Sequence, residues 1–443
     1  MGFDAVRRLV DPDGSLRFGT YPADPAHDLR VRERINARLA PGPAAVRGLD
    51  VVEEQCLDER EQGADVSETV TRGAEHTIRE IGQQPRVWRE TRDAVAADRE
   101  RIDAFLERHV TSDVRIVLTG AGTSAFVGEI AAPALARITG RRFDAVATTD
   151  IVADPRGAFA ENVPTLLISF ARSGRSPESV AATRLAEQVL DEVHHLIITC
   201  DTTGDLYRTH SQREGDLVLV TPEGTNDLSF AMTSSFSTML LSALLVFAPE
   251  LAAVVDAAAA AGEWALGDGA EAPRSYAERE YDRVVYLGSG PLTGLARESA
   301  LKLLELTAGR IVGLHDSSLG FRHGPKSVLD DRTLAVVFVS SDPYTRQYDL
   351  DILAELRATP GGHDVLAVDH RSPHGAGETW AVPGVEDLPD AVLALPYVLF
   401  AQSLALQQSL RLGLTPDNPF PSGDVNRVVK GVLIHPLADA ATR

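Results

Sequence analysis

The chain has 443 residues, 44% hydrophobic and 24% charged, with a formal net charge of −21. That length exceeds one ordinary core and predicts two domains, and the composition is that of a soluble globular protein. The negative charge argues against a nucleic-acid partner, which needs a basic face, and against an anionic membrane surface.

Only three of the 43 basic residues are lysines: Lys302, Lys326 and Lys430. An acidic, lysine-poor surface is what adaptation to a salty cytoplasm produces. A GC-rich genome, which favours Arg and Ala codons, produces the same bias, and both readings stand. Two cysteines, Cys56 and Cys200, are too few for a disulfide framework or a cysteine metal site. No metal site and no cofactor are expected. The start of the chain, MGFDAVRRLVDPDG, shows no apolar leader, so a cytoplasmic location is expected.

Residues 1–70 have weak apolar periodicity and mixed charge and read as an accessory extension. Residues 78–109 read as two helices broken at Pro85. Then DVRIVLTGAGTSAFVGEIAAPALARITGR, from residue 113, recurs as DRVVYLGSGPLTGLARESALKLLELTAGR, from residue 282. Aligning Gly120-x-Gly122 with Gly288-x-Gly290 places strand on strand and helix on helix. Short apolar strands follow: FDAVATT, VPTLLISF, HHLIIT and DLVLV in the first half, TLAVVFVSS and DVLAVD in the second. Strands alternating with helical stretches mean an α/β fold with mainly parallel sheets and helices on both faces. LSFAMTSSFSTMLLSALLVFA, 228–248, is about long enough to span a bilayer, but its hydroxyl content favours a buried core helix. GDGAEAPRSYAERE, 267–280, reads as the linker between copies.

Gly120-x-Gly122 after a strand invites a dinucleotide reading. The third glycine of that fingerprint is missing, and the reading leaves ARSGRSPES, 171–179, unexplained. The alternative uses both loops. One strand delivers Gly122, Thr123 and Ser124 to a helix N-terminus. The next delivers Arg172, Ser173, Gly174 and Ser176, with Pro177 in the first helical turn. Amide N–H groups, two helix dipoles and several hydroxyls then converge on one anion, and a phosphate fits. Ser and Thr are also ordinary N-caps, so either loop alone would be ambiguous. The second copy has Pro291 and Leu292 in place of Thr123 and Ser124, and VSSDPYTRQ in place of the serine loop, so the phosphate signal belongs to the first. Conversely Lys302 and Glu305 of the second copy stand where the first has Ala134 and Arg137. They lie three apart on one face of an otherwise apolar helix, where a carboxylate's pKa is open to tuning. His194-His195 in a strand would point to opposite faces and make a poor ligand pair.

The paired GTS and RSGRS loops, in a chain that repeats once, resemble the sugar isomerase (SIS) domain, whose members bind phosphosugars. ARESALKLLELTAGR, GFRHGPKS and PDNPFPSGDVNRVVKGV resemble the double-SIS tagatose-6-phosphate ketose/aldose isomerases, a group similar to galactosamine-6-phosphate deaminases. The resemblance runs from about residue 75 to 436. It implies two tandem SIS domains, each a five-stranded sheet in a flavodoxin-like three-layer sandwich. The segments are then an extension (1–70), a helical lead-in (71–112), SIS domain 1 (113–262), a linker (263–280), SIS domain 2 (281–430) and a tail (431–443). Glu305 is expected to shuttle the proton between C1 and C2, His323 to open the sugar ring, and Lys302 to stabilise charge or tune Glu305. Lys430 matches a catalytic lysine position of the more distant glucosamine-6-phosphate synthase. Ser124, Ser173 and Ser176 would hold the phosphate, with Thr233 in the pocket wall. The substrate class is a hexosamine or hexose 6-phosphate, and a homodimer or larger homo-oligomer follows because the family's histidine usually arrives from a neighbouring subunit.

Galactosamine 6-phosphate deamination is the leading expectation. Glucosamine 6-phosphate deamination, plain aldose/ketose isomerisation and a non-catalytic sugar-phosphate sensor are the alternatives. The salt question has a direct check in melting and activity from dilute buffer to multimolar salt. Halophilic adaptation predicts a steep gain with salt, and full stability in dilute buffer leaves the genomic reading.

Overall fold

The structure is a computed structural model that describes residues 7–10, 16–19, 73–371, 377–429 and 431–438. Residues 1–69 make a unit of their own, in which Arg7–Val10 pairs antiparallel with Leu16–Gly19. Cys56 and Lys430 lie outside the described residues.

In the main unit, helices α1 (Glu75–Gly82), α2 (Gln84–Ala97) and α3 (Arg99–His109) lead in. Pro85 sits in the first turn of α2, where its missing N–H costs nothing, and a second break falls at Asp98. The two helices expected from sequence are therefore three. The first sheet holds β1 (Arg115–Thr119), β2 (Phe143–Ala145), β3 (Thr165–Ala171), β4 (Val193–Thr199) and β5 (Leu217–Val220). The second holds β6 (Arg283–Leu287), β7 (Val312–Asp316), β8 (Thr333–Phe338), β9 (Asp364–Asp369) and β10 (Glu378–Ala381). Their orders are β2-β1-β3-β4-β5 and β7-β6-β8-β9-β10, and every neighbour pair is parallel. The internal repeat is thus a repeat of topology. β3 is buried at every residue, as a central parallel strand covered on both faces must be.

Six further helices matter for the site: α4 (Thr123–Thr139), α5 (Pro177–Val189), α6 (Ser234–Phe247), α8 (Pro291–Leu306), α9 (Pro343–Ala358) and α10 (Asp390–Arg411). Between α6 and α8 lies α7 (Val255–Leu266). Alternate strand residues divide the apolar contacts. Ile116, Leu118, Leu166 and Ile168 of the first sheet share one core with Val284, Tyr286, Leu334 and Val336 of the second, through α4, α6, α8 and α10. Val117 and Leu167 face α5, whereas Val285 and Val337 face α9. The helix expected at 228–248 is α6, buried from Ser234 to Val246 as a core helix. α10 is also long and apolar enough to cross a bilayer, and it too is buried in the core. The stretch 267–280, read as a linker, contains the helix Glu271–Ala277, whose Pro273, Tyr276 and Ala277 are buried.

His194 and His195 do point apart. The His194 ring lies 3.9 Å from that of His109, and the His195 ring 4.7 Å from that of His210. His195 is fully buried, and burial, followed by the neighbouring His210, lowers its pKa to about 4. A base whose pKa falls on folding supports full stability above its unfolded value of 6.5 and loses it as pH drops toward 4. The loss should be on the order of 3 kcal/mol. Urea unfolding at pH 7.5 and 4.5 measures it. His195→Leu should lose less over the same interval, and an equal loss in both proteins would assign the acid sensitivity elsewhere.

Candidate active site

The loops after β1 and β3 end where the strand order reverses, the place at which open parallel sheets bind ligands. The first needs its glycines. A Cβ on Gly120 would lie 2.5 Å from the Ser124 backbone, and Gly122 has φ 56°. The chain can therefore turn sharply and open α4 at Thr123. In the second loop Gly174 has φ 61° and Pro177 opens α5. A cavity of about 110 Å³ lies between them, with Ser124, Arg172, Ser173, Gly174, Ser176 and Arg427 in its wall. The Ser176 hydroxyl donates to Ser179 Oγ at 2.6 Å and leaves the first turn of α5 without a side-chain cap. Open N–H groups at a helix start favour an anion.

Arg172 is buried, and no carboxylate pairs with it among the described residues. Its Nη2 donates to the Arg427 carbonyl at 3.0 Å. Burial lowers its pKa, against the opposing pull of Asp227, Cys200 and Glu305. A desolvated guanidinium without a counter-ion is a strong receptor for a bidentate oxyanion.

The second component comes from the other copy. On α8, Glu298, Lys302 and Glu305 fall at i, i+4 and i+7, on one face. Lys302 is fully buried. Its Nζ lies 2.5 Å from Glu305 Oε2, 2.9 Å from Thr123 Oγ1 and 3.5 Å from Glu298 Oε1. The Thr123 contact joins the two copies. Burial alone would depress the Lys302 pKa, but Glu298 and Glu305 more than offset it, so the amine stays charged. Glu298 is fully buried with no hydrogen-bond partner on either oxygen, and burial pushes its pKa up to about 8 against the pull of Lys302. Glu298, Lys302 and Glu305 thus form one coupled face, in which burial favours the neutral form of Glu298 and the Lys302 ammonium opposes it. Of the three, only the Glu305 side chain reaches solvent, at 22% exposure.

Ser124, Arg172, Ser173, Gly174 and Ser176 thus converge on one cavity, whereas Thr123 is engaged with Lys302 and Gly122 sits exposed at the turn. Thr233 is buried and its N–H donates to Asp227 Oδ2 at 2.8 Å; Met232 lines the cavity instead. His323 lies exposed on the short turn Gly320–His323, whose neighbours Arg322 and Lys326 both pair with Glu355. Lys430 is outside the described residues, although Arg427, Val428 and Val429 just before it line the cavity. Sequence reading missed Glu298 and Arg427. The first was signalled by its place one turn before Lys302 on an apolar helix, the second only by the path of the tail.

A SIS domain model matches residues 110–249. The chain is 50% identical over 369 residues to the D-galactosamine-6-phosphate deaminase AgaS of Escherichia coli, covering 81% of this chain and 95% of that one. A Streptomyces coelicolor relative, provisionally given the same name, is 56% identical over 374 residues, covering 83% of this chain and 97% of its own. The crystal structure of the tagatose-6-phosphate ketose/aldose isomerase from Escherichia coli matches with a TM-score of 0.75 and 47% identity, covering 82% of this chain and 96% of that one.

The state of Glu298 is testable without substrate. Its folded pKa of about 8 stands above the unfolded 4.5, so ionisation opposes folding. The penalty is absent below pH 4.5 and grows until pH 8. Glu298→Gln removes it. In urea unfolding the variant should match the wild type near pH 4.5 and exceed it by up to roughly 5 kcal/mol at pH 8. A variant less stable at pH 8 would mean that Glu298 is an ionised partner of Lys302.

Proposed function

Because the chain belongs to the AgaS family of SIS-domain D-galactosamine-6-phosphate deaminases, we propose that it converts D-galactosamine 6-phosphate and water to D-tagatose 6-phosphate and ammonia. The observation that carries this reading is that Lys302 bridges Glu305, at 2.5 Å, to Thr123 at the start of the first loop, at 2.9 Å, while the cavity beside that loop holds the buried Arg172. An anion receptor and an accessible carboxylate thus serve one substrate.

On this reading residues 113–262 hold the phosphate and residues 281–430 supply acid–base groups. The phosphate accepts from Arg172, from the hydroxyls of Ser124, Ser173 and Ser176, and from the amides opening α4 and α5. That anchorage fixes the far end of the sugar and positions C1 and C2. His323, contributed by a neighbouring subunit, protonates the ring oxygen and takes the O1 proton, which opens the ring to an aldehyde. Glu305 removes the C2 proton. Electron density moves to O1, where the Lys302 ammonium stabilises it. A proton passes from the amine to O1 through His323 while Glu305 returns its proton to C1, leaving an imine at C2 and a hydroxymethyl at C1. Water adds to C2, and the C–N bond breaks to release ammonia and the ketose. Lys430, which follows Val429 in the chain, would assist these proton transfers. A substrate without the amine would pass through an enediol and, with the proton returned to C1, simply isomerise. That is the second reading, which the name of the Escherichia coli solved relative favours.

Ammonia release from galactosamine 6-phosphate and from glucosamine 6-phosphate tests this. Ammonia and tagatose 6-phosphate from the first alone are expected. No ammonia from either, with tagatose 6-phosphate converted to its aldose, would establish plain isomerisation. Glu305→Gln should lower kcat roughly a thousandfold while keeping substrate binding. Arg172→Ala should chiefly raise KM. Full activity in Glu305→Gln would remove the carboxylate from the mechanism.

A further inference from the structure

The crevice described above has a counterpart in the second half of the chain. Aligning Gly120 with Gly288, and the strand registers β1–β3 with β6–β8, brings Ala171 onto Val339, and the starts of α5 and α9 then match Pro177 with Pro343. Ser176, which precedes α5, then corresponds to Asp342, which precedes α9. Five residues (172–176) form the first loop and three (340–342) the second. Across the helix layer, Ala134 and Arg137 of α4 correspond to Lys302 and Glu305 of α8. The structure has a cavity of about 260 Å³ at this counterpart, lined by Ala134, Arg137, Gly290, Ser341, Asp342 and Asp390 among others.

The backbone at its head repeats that of the first crevice, with φ and ψ of 57° and −128° at Gly290 against 56° and −128° at Gly122. The chemistry does not repeat. Asp342 Oδ1 accepts the Thr345 N–H at 2.9 Å and so caps α9, while its Oδ2 accepts Arg137 Nη1 at 3.0 Å. The Ser341 N–H donates to Asp390 Oδ1 at 2.7 Å, and the Ser340 N–H to Asp349 Oδ2 at 3.0 Å. Each of these amides already meets a carboxylate of the same chain. In the first crevice Ser176 gives α5 no such cap. The Thr345 amide also holds the Asp342 pKa below the usual carboxylate range, so the group is ionised at neutral pH.

We propose that the Asp342 carboxylate is a built-in ligand of the second crevice: it occupies at α9 the place that substrate phosphate takes at α5, and it limits each chain to one sugar-phosphate site. The proposal rests on the phosphate reading of the first crevice. A second anion would meet the Asp342 and Asp390 charges, and Arg137 is already neutralised. Removing the Asp342 carboxylate should expose the α9 amides and release Arg137 to a free anion.

The test is the stoichiometry of inorganic phosphate bound by the full chain, by equilibrium dialysis, in the wild type, Asp342→Ser and Ser176→Asp. Serine is the residue the first half uses and is itself a good N-cap, so Asp342→Ser should fold. About one equivalent is expected for the wild type and about two for Asp342→Ser. Ser176→Asp should bind none while keeping its thermal midpoint. Two equivalents in the wild type, or one in both it and a folded Asp342→Ser, would overturn the proposal. No phosphate on the wild type but one on Asp342→Ser would overturn the first-crevice reading, and with it the equivalence to substrate phosphate, while keeping Asp342 as the group that excludes an anion from the second crevice. None on either would overturn both. If Asp342→Ser does not fold, phosphate binding by Ser176→Asp at the wild-type level overturns the proposal, because a carboxylate at that position would then not displace the anion.

Discussion

Everything about the site depends on how closely α4 and α8 cross. A Cβ on Gly294 would come within 2.8 Å of the Ile130 side chain, so only a glycine lets the helices approach this far. Arg297 and Glu129 pair at 2.5 Å beside the crossing. The approach brings the Lys302 ammonium of one copy to Thr123 of the other, at the mouth of the turn that starts the phosphate loop. A buried lysine is tolerable only with compensating groups around it, and here two carboxyls and a hydroxyl supply them. The crossing therefore joins the proposed anion receptor of the first half to the proposed acid–base face of the second.

A buried polar network holds the remaining wall. Glu80 of α1 accepts the Leu228 N–H at 2.6 Å and the Ser229 hydroxyl at 2.5 Å. Asp227 accepts the amides of Thr233 and Ser235, capping α6. Asp417, from the segment after α10, accepts the Thr77 amide at 2.7 Å at the start of α1. Burial, followed by Asp227, raises the Glu80 pKa even though three donors hold its carboxylate. The lead-in helices and the segment after α10, both outside the two sheets, are thus tied to the loop that carries Met232 and Thr233. Such a network is costly when incomplete, which gives it a role in fixing one arrangement of the loop rather than only in adding stability.

The two halves separate fold from chemistry. The backbone of the strand–turn–helix unit is the same twice, and both sheets have the same strand order. Function lies in the side chains grafted on it. One half keeps open amides and a buried arginine, and the other keeps the lysine–carboxylate face. Each copy alone would hold only one of the two components.

The sequence by itself determined the repeat, the parallel α/β class, the two glycine turns and, of the first crevice, Ser124, Arg172, Ser173, Gly174 and Ser176. Period-two apolar strands and obligatory glycines leave local traces that do not depend on partners. It also determined Lys302 and Glu305, because charge on an otherwise apolar helix stands out. It did not reveal β7 or β10, edge strands whose side chains are mostly half-buried or exposed and so lack a clean alternation. Nor did it reveal the break at Asp98, where no proline or glycine marks the turn. Only the tertiary structure decided that Thr123 serves Lys302, that Thr233 turns to Asp227, that Glu298 is buried beside Lys302, and that Arg427 lines the cavity. Each of these depends on what a helix, loop or tail from elsewhere in the chain brings within hydrogen-bond reach, and a spacing within one segment carries no record of that.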